Sequence, residues 1–84
     1  MIESKKKLKR RKRYLEVEYY RKKYSFSQKD FALLLGIKEN TYSHKECGIS
    51  KFTLAELILM HGAINKAAAN AGHQGVTIDA LLGL

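Results

Sequence analysis

The sequence predicts an all-α domain of five short helices behind a basic N-terminal arm. Three observations carry this. Apolar residues recur at three- and four-residue steps, no useful stretch alternates with period two, and Ser/Thr caps and glycines divide the chain into helix-length pieces. The 84 residues suffice for one domain with a modest core, and 45% hydrophobic content favours a folded chain over a disordered one.

Residues 1–13 are expected to form an arm, flexible or continuing the first helix, because Leu8 is the only apolar residue between Ile2 and Tyr14. In the first helix, Val17, Tyr20 and Tyr24 fall at helical spacing, with Leu15 and Tyr19 beside them. Lys22 and Lys23 close it where cations suit the helix dipole. Either Ser25 or Ser27 can cap a second helix that begins at Gln28 and reaches Leu35, with Gly36 as its left-handed stop. Ile37 then anchors a turn into a third helix from Glu39 to Glu46, ended by Gly48. After a loop over residues 49–52, Thr53 and Glu56 form a capping box for a helix from Leu54 to about Asn65. Its expected inner face is Leu54, Leu57, Ile58 and Ile64. Gly62 inside it implies close packing or a bend, and residues 67–72 prolong it or fray. Thr77 caps a last short helix pinned by Ile78 and Leu81. The expected core is Val17, Tyr20, Phe26, Phe31, Ala32, Leu35, Ile37, Tyr42, Leu57, Ile58, Ile64, Ile78 and Leu81.

Charge supplies the first functional pointer. Sixteen Lys and Arg against eight Asp and Glu leave a net charge of +8. Eight of the nine positions Lys5–Arg13 are basic: Lys5, Lys6, Lys7, Lys9, Arg10, Arg11, Lys12 and Arg13. A polyanion is the expected partner, since each phosphate contact releases condensed counterions. Cys47, the single cysteine, cannot form an internal disulfide, and the charged N-terminus is unlike a secretory signal. A cytoplasmic location is expected, and no membrane partner, because no apolar run approaches the roughly 20 residues that span a bilayer. His61 and His73 lack Cys/His partners at zinc spacing, and no nucleophile, carboxylate pair or phosphate loop stands out. The expectation is a non-enzyme without metal or cofactor.

One constellation is more specific. Ser27-Gln28-Lys29-Asp30-Phe31-Ala32, Leu35-Gly36-Ile37, Thr41-Tyr42-Ser43 and Glu46-Cys47-Gly48 resemble the Cro and phage-repressor type helix-turn-helix, the XRE family. Arg21 and the segment Gly75–Leu82 extend the likeness to both ends, leaving only the arm outside it. The resemblance implies a compact five-helix domain over residues 14–84, with the motif at about 27–46. It also implies a repressor-like transcriptional regulator, bacterial or phage-encoded, acting on double-stranded DNA. Packing of Ala32, Ile37 and Tyr42 would then hold the outer face of the third helix rigidly at the major groove.

The residues expected at DNA are Gln28, Lys38, Glu39, Asn40, Thr41, Ser43, His44, Ser50 and Lys51, together with the arm cations. Asn40 suits adenine, Ser43 several base edges, and Ser50 and Lys51 phosphates. The chain also departs from the pattern. Glu39 adds negative charge at a base-facing position, and Leu33 and Leu34 stand where polar residues are usual. Cys47 and Phe52 replace the common asparagine and proline. Leu33, Leu34 and Glu39 therefore define an alternative, a protein-partner surface. The chain would then be a phage-switch modulator or antirepressor binding a partner repressor, or an antitoxin binding a toxin protein. A homodimer is compatible with paired half-sites, but no segment specifies it.

Overall fold

The computed structural model describes residues 14–83; the basic arm of residues 1–13 lies outside the described residues. Among them, five helices follow in order: α1 Leu15–Lys23, α2 Gln28–Leu35, α3 Glu39–Glu46, α4 Leu54–Asn70 and α5 Ile78–Leu81. None is long and apolar enough to cross a membrane, and the described residues contain no strand.

Local chemistry explains most boundaries. Ser27, not Ser25, caps α2: its hydroxyl accepts from Asp30 N–H at 2.9 Å, and Asp30 Oδ2 accepts from Ser27 N–H at 2.8 Å. Those bonds, the backbone N–H of Ser27 first, hold the Asp30 carboxyl below its ordinary value. Thr53 and Glu56 make the same reciprocal box on α4, and the Thr77 hydroxyl caps α5 by accepting from Ala80 N–H. Gly36 turns α2 into α3 at φ 72°, sending the Ile37 N–H back to the Ala32 carbonyl.

The end of α1 uses the same turn without glycine. Ser25 sits at φ 65°, with its N–H on the Lys22 carbonyl and Phe26 N–H on the Arg21 carbonyl. A side chain in this region crowds its own carbonyl. Ser25→Gly is therefore expected to stabilise the fold by about 0.5–1 kcal/mol and raise Tm by about 4 °C in thermal denaturation. An unchanged or lower Tm would mean that the turn carries no strain.

Phe31, Tyr42, Met60, Ile64, Leu81 and Val17 are the largest fully buried side chains. Tyr20, Phe26, Leu35 and Ile37 pack around that centre while half-buried. Of the two courses open to residues 67–72, prolonging the helix is the one taken: α4 runs on to Asn70, because alanines 67–69 favour helix and bury Ala68. The expected inner face of the helix is corrected. Its inner line is Leu57, Met60, Ile64 and Ala68, a continuous three- and four-residue stripe. Leu54 and Ile58 fall outside that line and are 68% and 54% exposed. Phe52, expected in a loop, is buried against the Tyr14 and Tyr42 rings, at centroid distances of 4.8 and 5.6 Å. Ile78 is only half-buried.

Two histidines close the C-terminal connection. Val76 N–H donates to Asn65 Oδ1 at 2.6 Å, and Asn65 Nδ2 donates to the Val76 carbonyl at 3.1 Å. His61 Nε2 lies 2.7 Å from the same carbonyl and 2.9 Å from Asn65 Nδ2. His73 Nδ1 pairs with the Tyr24 hydroxyl at 2.9 Å. The extended segment 73–77 is thereby fastened along α4 and to the end of α1.

Candidate functional site

α3 is eight residues, about 12 Å of helix. It stays in place through a polar knot that no stretch of sequence announces. Glu46, at its last turn, is 3% exposed and meets the 5%-exposed Arg21 of α1. Arg21 Nε donates to Glu46 Oε2 at 2.8 Å and Nη2 to Oε1 at 3.2 Å, a bidentate pair. The Tyr42 hydroxyl donates to Oε2 at 2.7 Å, and Gln28 Nε2, at the start of α2, donates to Oε1 at 3.0 Å. Arg21 Nη1 also reaches the Phe26 carbonyl at 2.8 Å. One carboxylate thus gathers α1, α2 and α3, and no buried side-chain polar atom among the described residues lacks a partner.

Burial alone would raise the Glu46 carboxyl, but hydrogen bonds from Arg21, Tyr42 and Gln28 outweigh it and hold the group below its ordinary value. Burial, and then the neighbouring carboxylate, pushes the Tyr42 phenol far up, so it stays a donor at any working pH. A second pair ties α3 to α4. Lys45 Nζ lies 2.7 and 2.8 Å from the two Glu56 oxygens, with both side chains mostly covered. Burial opposes the Glu56 charge as well, and the bond from Lys45 overrides it.

With its inner side engaged, α3 turns the opposite side outward. Lys38, Glu39, Asn40, Thr41 and His44 are exposed, and Ser43 is half-exposed. The side chains of Lys38, Glu39, Asn40 and Thr41 make no hydrogen bond or ion pair to another described residue. Cys47, exposed just past the helix, continues the line of Asn40, Ser43 and His44. The sequence reading passed over it, although the 40, 43/44, 47 spacing carries the signal. Ser50 and Lys51 are exposed in the following loop, so they join this surface at its C-terminal edge.

Gln28 is the residue whose placement differs most from expectation. It is half-buried, and its amide nitrogen is committed to Glu46 rather than to anything outside the chain. Leu33 and Leu34 lie on α2, 71% and 37% exposed. The arm cations lie outside the described residues, but the place where the arm joins is fixed. Tyr14 N–H donates to the Glu46 carbonyl at 3.1 Å and its ring packs edge-on against Phe52. Tyr14, the first described residue, therefore sits beside the C-terminal end of α3. The charge is divided sharply: residues 1–13 hold eight bases and one acid, residues 14–83 eight bases and seven acids.

Missed by the sequence reading were the buried roles of Arg21 and Glu46 and the half-buried packing of Tyr14. Pairing across 25 residues leaves no local pattern, and only the oddity of one Arg on an apolar helix face could have flagged it. No family model, no curated protein and no solved structure matches the chain.

Proposed function

We propose that the chain is a DNA-binding transcriptional regulator, repressor-like, that lays α3 in the major groove. The observation that supports it best is the two-sidedness of α3. Its inner side is held by Tyr42, Lys45 and Glu46, while Asn40, Ser43 and His44 form an outward polar line. An α-helix, about 10–12 Å across with its side chains, fits a major groove about 12 Å wide. Asn40 has the amide that pairs with adenine N6 and N7, and Glu39 can accept from cytosine N4. Lys38, Ser50 and Lys51 flank these as phosphate contacts. The arm cations add the sequence-independent part of the affinity. The reading accords with the helix-turn-helix family that the sequence resembles.

The test is a salt titration of binding to labelled duplexes from the neighbouring genome, with random duplex as competitor. A preference of about a thousandfold or more for one sequence is the expected result. Uniform, salt-sensitive binding to all duplexes would overturn base reading by α3. That outcome would favour the second reading, a modulator or antitoxin that binds a repressor or toxin protein. Its support is Leu33, an aliphatic side chain 71% exposed on α2, together with the exposed Glu39.

A further inference from the structure

An open groove of about 440 Å³ lies where the turn between α1 and α2, α2 itself and α4 meet. Its volume falls in the range of small-molecule sites, which combine apolar walls with a few polar groups. Phe26, Phe31, Leu34 and Ala63 supply the apolar lining, with the two phenylalanine centroids 4.9 Å apart. Tyr24 lines it too, but its hydroxyl is engaged by His73, and the Lys23 ammonium already stands 5.7 Å from its ring centroid. Two polar groups of the lining have capacity to spare. Asp30 Oδ2 accepts from Ser27 N–H, whereas Oδ1 makes no hydrogen bond to another described residue. The Ser25 hydroxyl makes none either.

Ser25 adds an independent observation. It is the one non-glycine at positive φ among the described residues. Glycine takes such a turn without crowding, as Gly36 does at the end of α2. Strain of this kind persists where the residue serves some other end, and ligand clamps are a common one. Inside the chain the Ser25 hydroxyl serves none, yet it lines the same groove as Asp30.

We infer that this groove binds a small organic amine. Asp30 and Ser25 hold the ammonium, and an aryl or branched alkyl body lies against Phe26, Phe31, Leu34 and Ala63. Charge decides the class. Asp30 is the one charged residue of the lining, and the hydrogen bonds with Ser27 keep it ionised. An ammonium donates to a carboxylate and a hydroxyl at once, and such charge-assisted bonds are about twice as strong as neutral ones. An anionic ligand would be repelled at the same place. The chain as a whole carries +8 and repels cations at long range. Selection therefore rests on contact with Asp30, well inside the screening length of about 8 Å at physiological salt. Only a ligand with an apolar body uses the rest of the lining, which sets it apart from a simple cation. The site is independent of the DNA-binding reading and is tested without DNA.

The full chain would be titrated with phenethylamine while its backbone amides are followed by NMR. Saturable shifts are expected at Ser25, Phe26, Asp30, Leu34 and Ala63, with a Kd on the order of 1 mM, as suits so small a fragment. Phenethyl alcohol, which lacks the charge, and hydrocinnamate, which reverses it, should bind about tenfold more weakly or worse. Asp30→Asn keeps an acceptor for the Ser27 N–H and should weaken the amine by about tenfold. Ser25→Gly should weaken it severalfold while raising Tm, a split that a merely structural serine would not give. Absence of saturable shifts at these residues at tens of millimolar amine would overturn the inference. So would equal binding of the three probes, or amine binding undiminished in Asp30→Asn. Amine binding that emerges only once Lys5–Arg13 are neutralised would overturn it as well and assign the groove to the arm.

Discussion

Replacing the eight cations of Lys5–Arg13 with uncharged residues is expected to lower affinity for every duplex together, by about a thousandfold in low salt. The division of charge is the reason. Residues 14–83 are almost balanced, eight bases against seven acids, and two of those bases, Arg21 and Lys45, are occupied inside the fold. The densest run of counterion-releasing charge therefore sits in the arm. Log affinity against log salt has a slope of about −0.9 per phosphate contact, so the neutralised chain should show a slope flatter by several units. Asn40→Ala with Ser43→Ala should behave differently. Each lost base contact costs about 1–3 kcal/mol on the preferred sequence alone, and the salt slope stays put. Both variants would be titrated against the same pair of duplexes. If the arm variant lost sequence preference while the α3 variant lost only general affinity, the roles assigned to arm and helix would be wrong.

The second large effect concerns the knot at Glu46. Arg21→Met leaves a buried carboxylate without its cation, and Glu46→Leu leaves a buried guanidinium without its anion. Each should cost about 3–5 kcal/mol, which for a chain of this size is a large fraction of a total of roughly 4–13 kcal/mol. The double variant Arg21→Met/Glu46→Leu should lose less than the sum. It strands the Tyr42 hydroxyl, the Phe26 carbonyl and the Gln28 amide, but no charge, and half-buried Gln28 can turn to water. Urea unfolding of all four proteins gives the coupling, and additive single effects would contradict a paired, buried role.

Acidity adds a check of sign. Glu46 in the folded chain titrates below its unfolded value. It therefore stabilises fully above the unfolded carboxylate range of about 4.3, and that contribution is lost as pH falls through the lower folded value. In Arg21→Met the burial cost is unopposed, so the penalty of the substitution should be greatest near neutrality. It should shrink as pH falls toward about 4, where the protonated side chain needs no cation. A penalty independent of pH would show that the two side chains do not share charge.

The helices with strong local punctuation were legible in the sequence. α2 and α3 begin and end where a serine cap, a left-handed glycine and the turn at Ile37 put them. Phe31, Ala32 and Tyr42 are buried as their spacing predicts. α4 was harder for a physical reason. Leu54, Leu57, Ile58, Leu59 and Met60 surround the helix with apolar residues, so periodicity could not say which side faced inward. Alanines at 67–69 have too little side chain to point anywhere, which hid the last turn and buried Ala68. Phe52 was read from its loop neighbours, whereas its ring is drawn in by two tyrosines distant in sequence. At the candidate site, the exposed residues of α3 could be named from helical spacing, but the Arg21–Glu46 pair that steadies them is a long-range fact.

The fastenings of α3 all lie in its second half: the Tyr42 ring, the Lys45 ammonium, and the carboxylate and carbonyl of Glu46. The stretch from Lys38 to Thr41 runs between two anchors, Ile37 before it and Tyr42 after it, and bears no fastening of its own. Variation there can alter what the surface recognises at little cost in folding, whereas change at Tyr42, Lys45 or Glu46 endangers the whole domain. The helix thus separates the part open to rapid divergence from the part that inheritance must keep. Libraries randomised at 38–41 should yield mostly folded proteins with altered preferences.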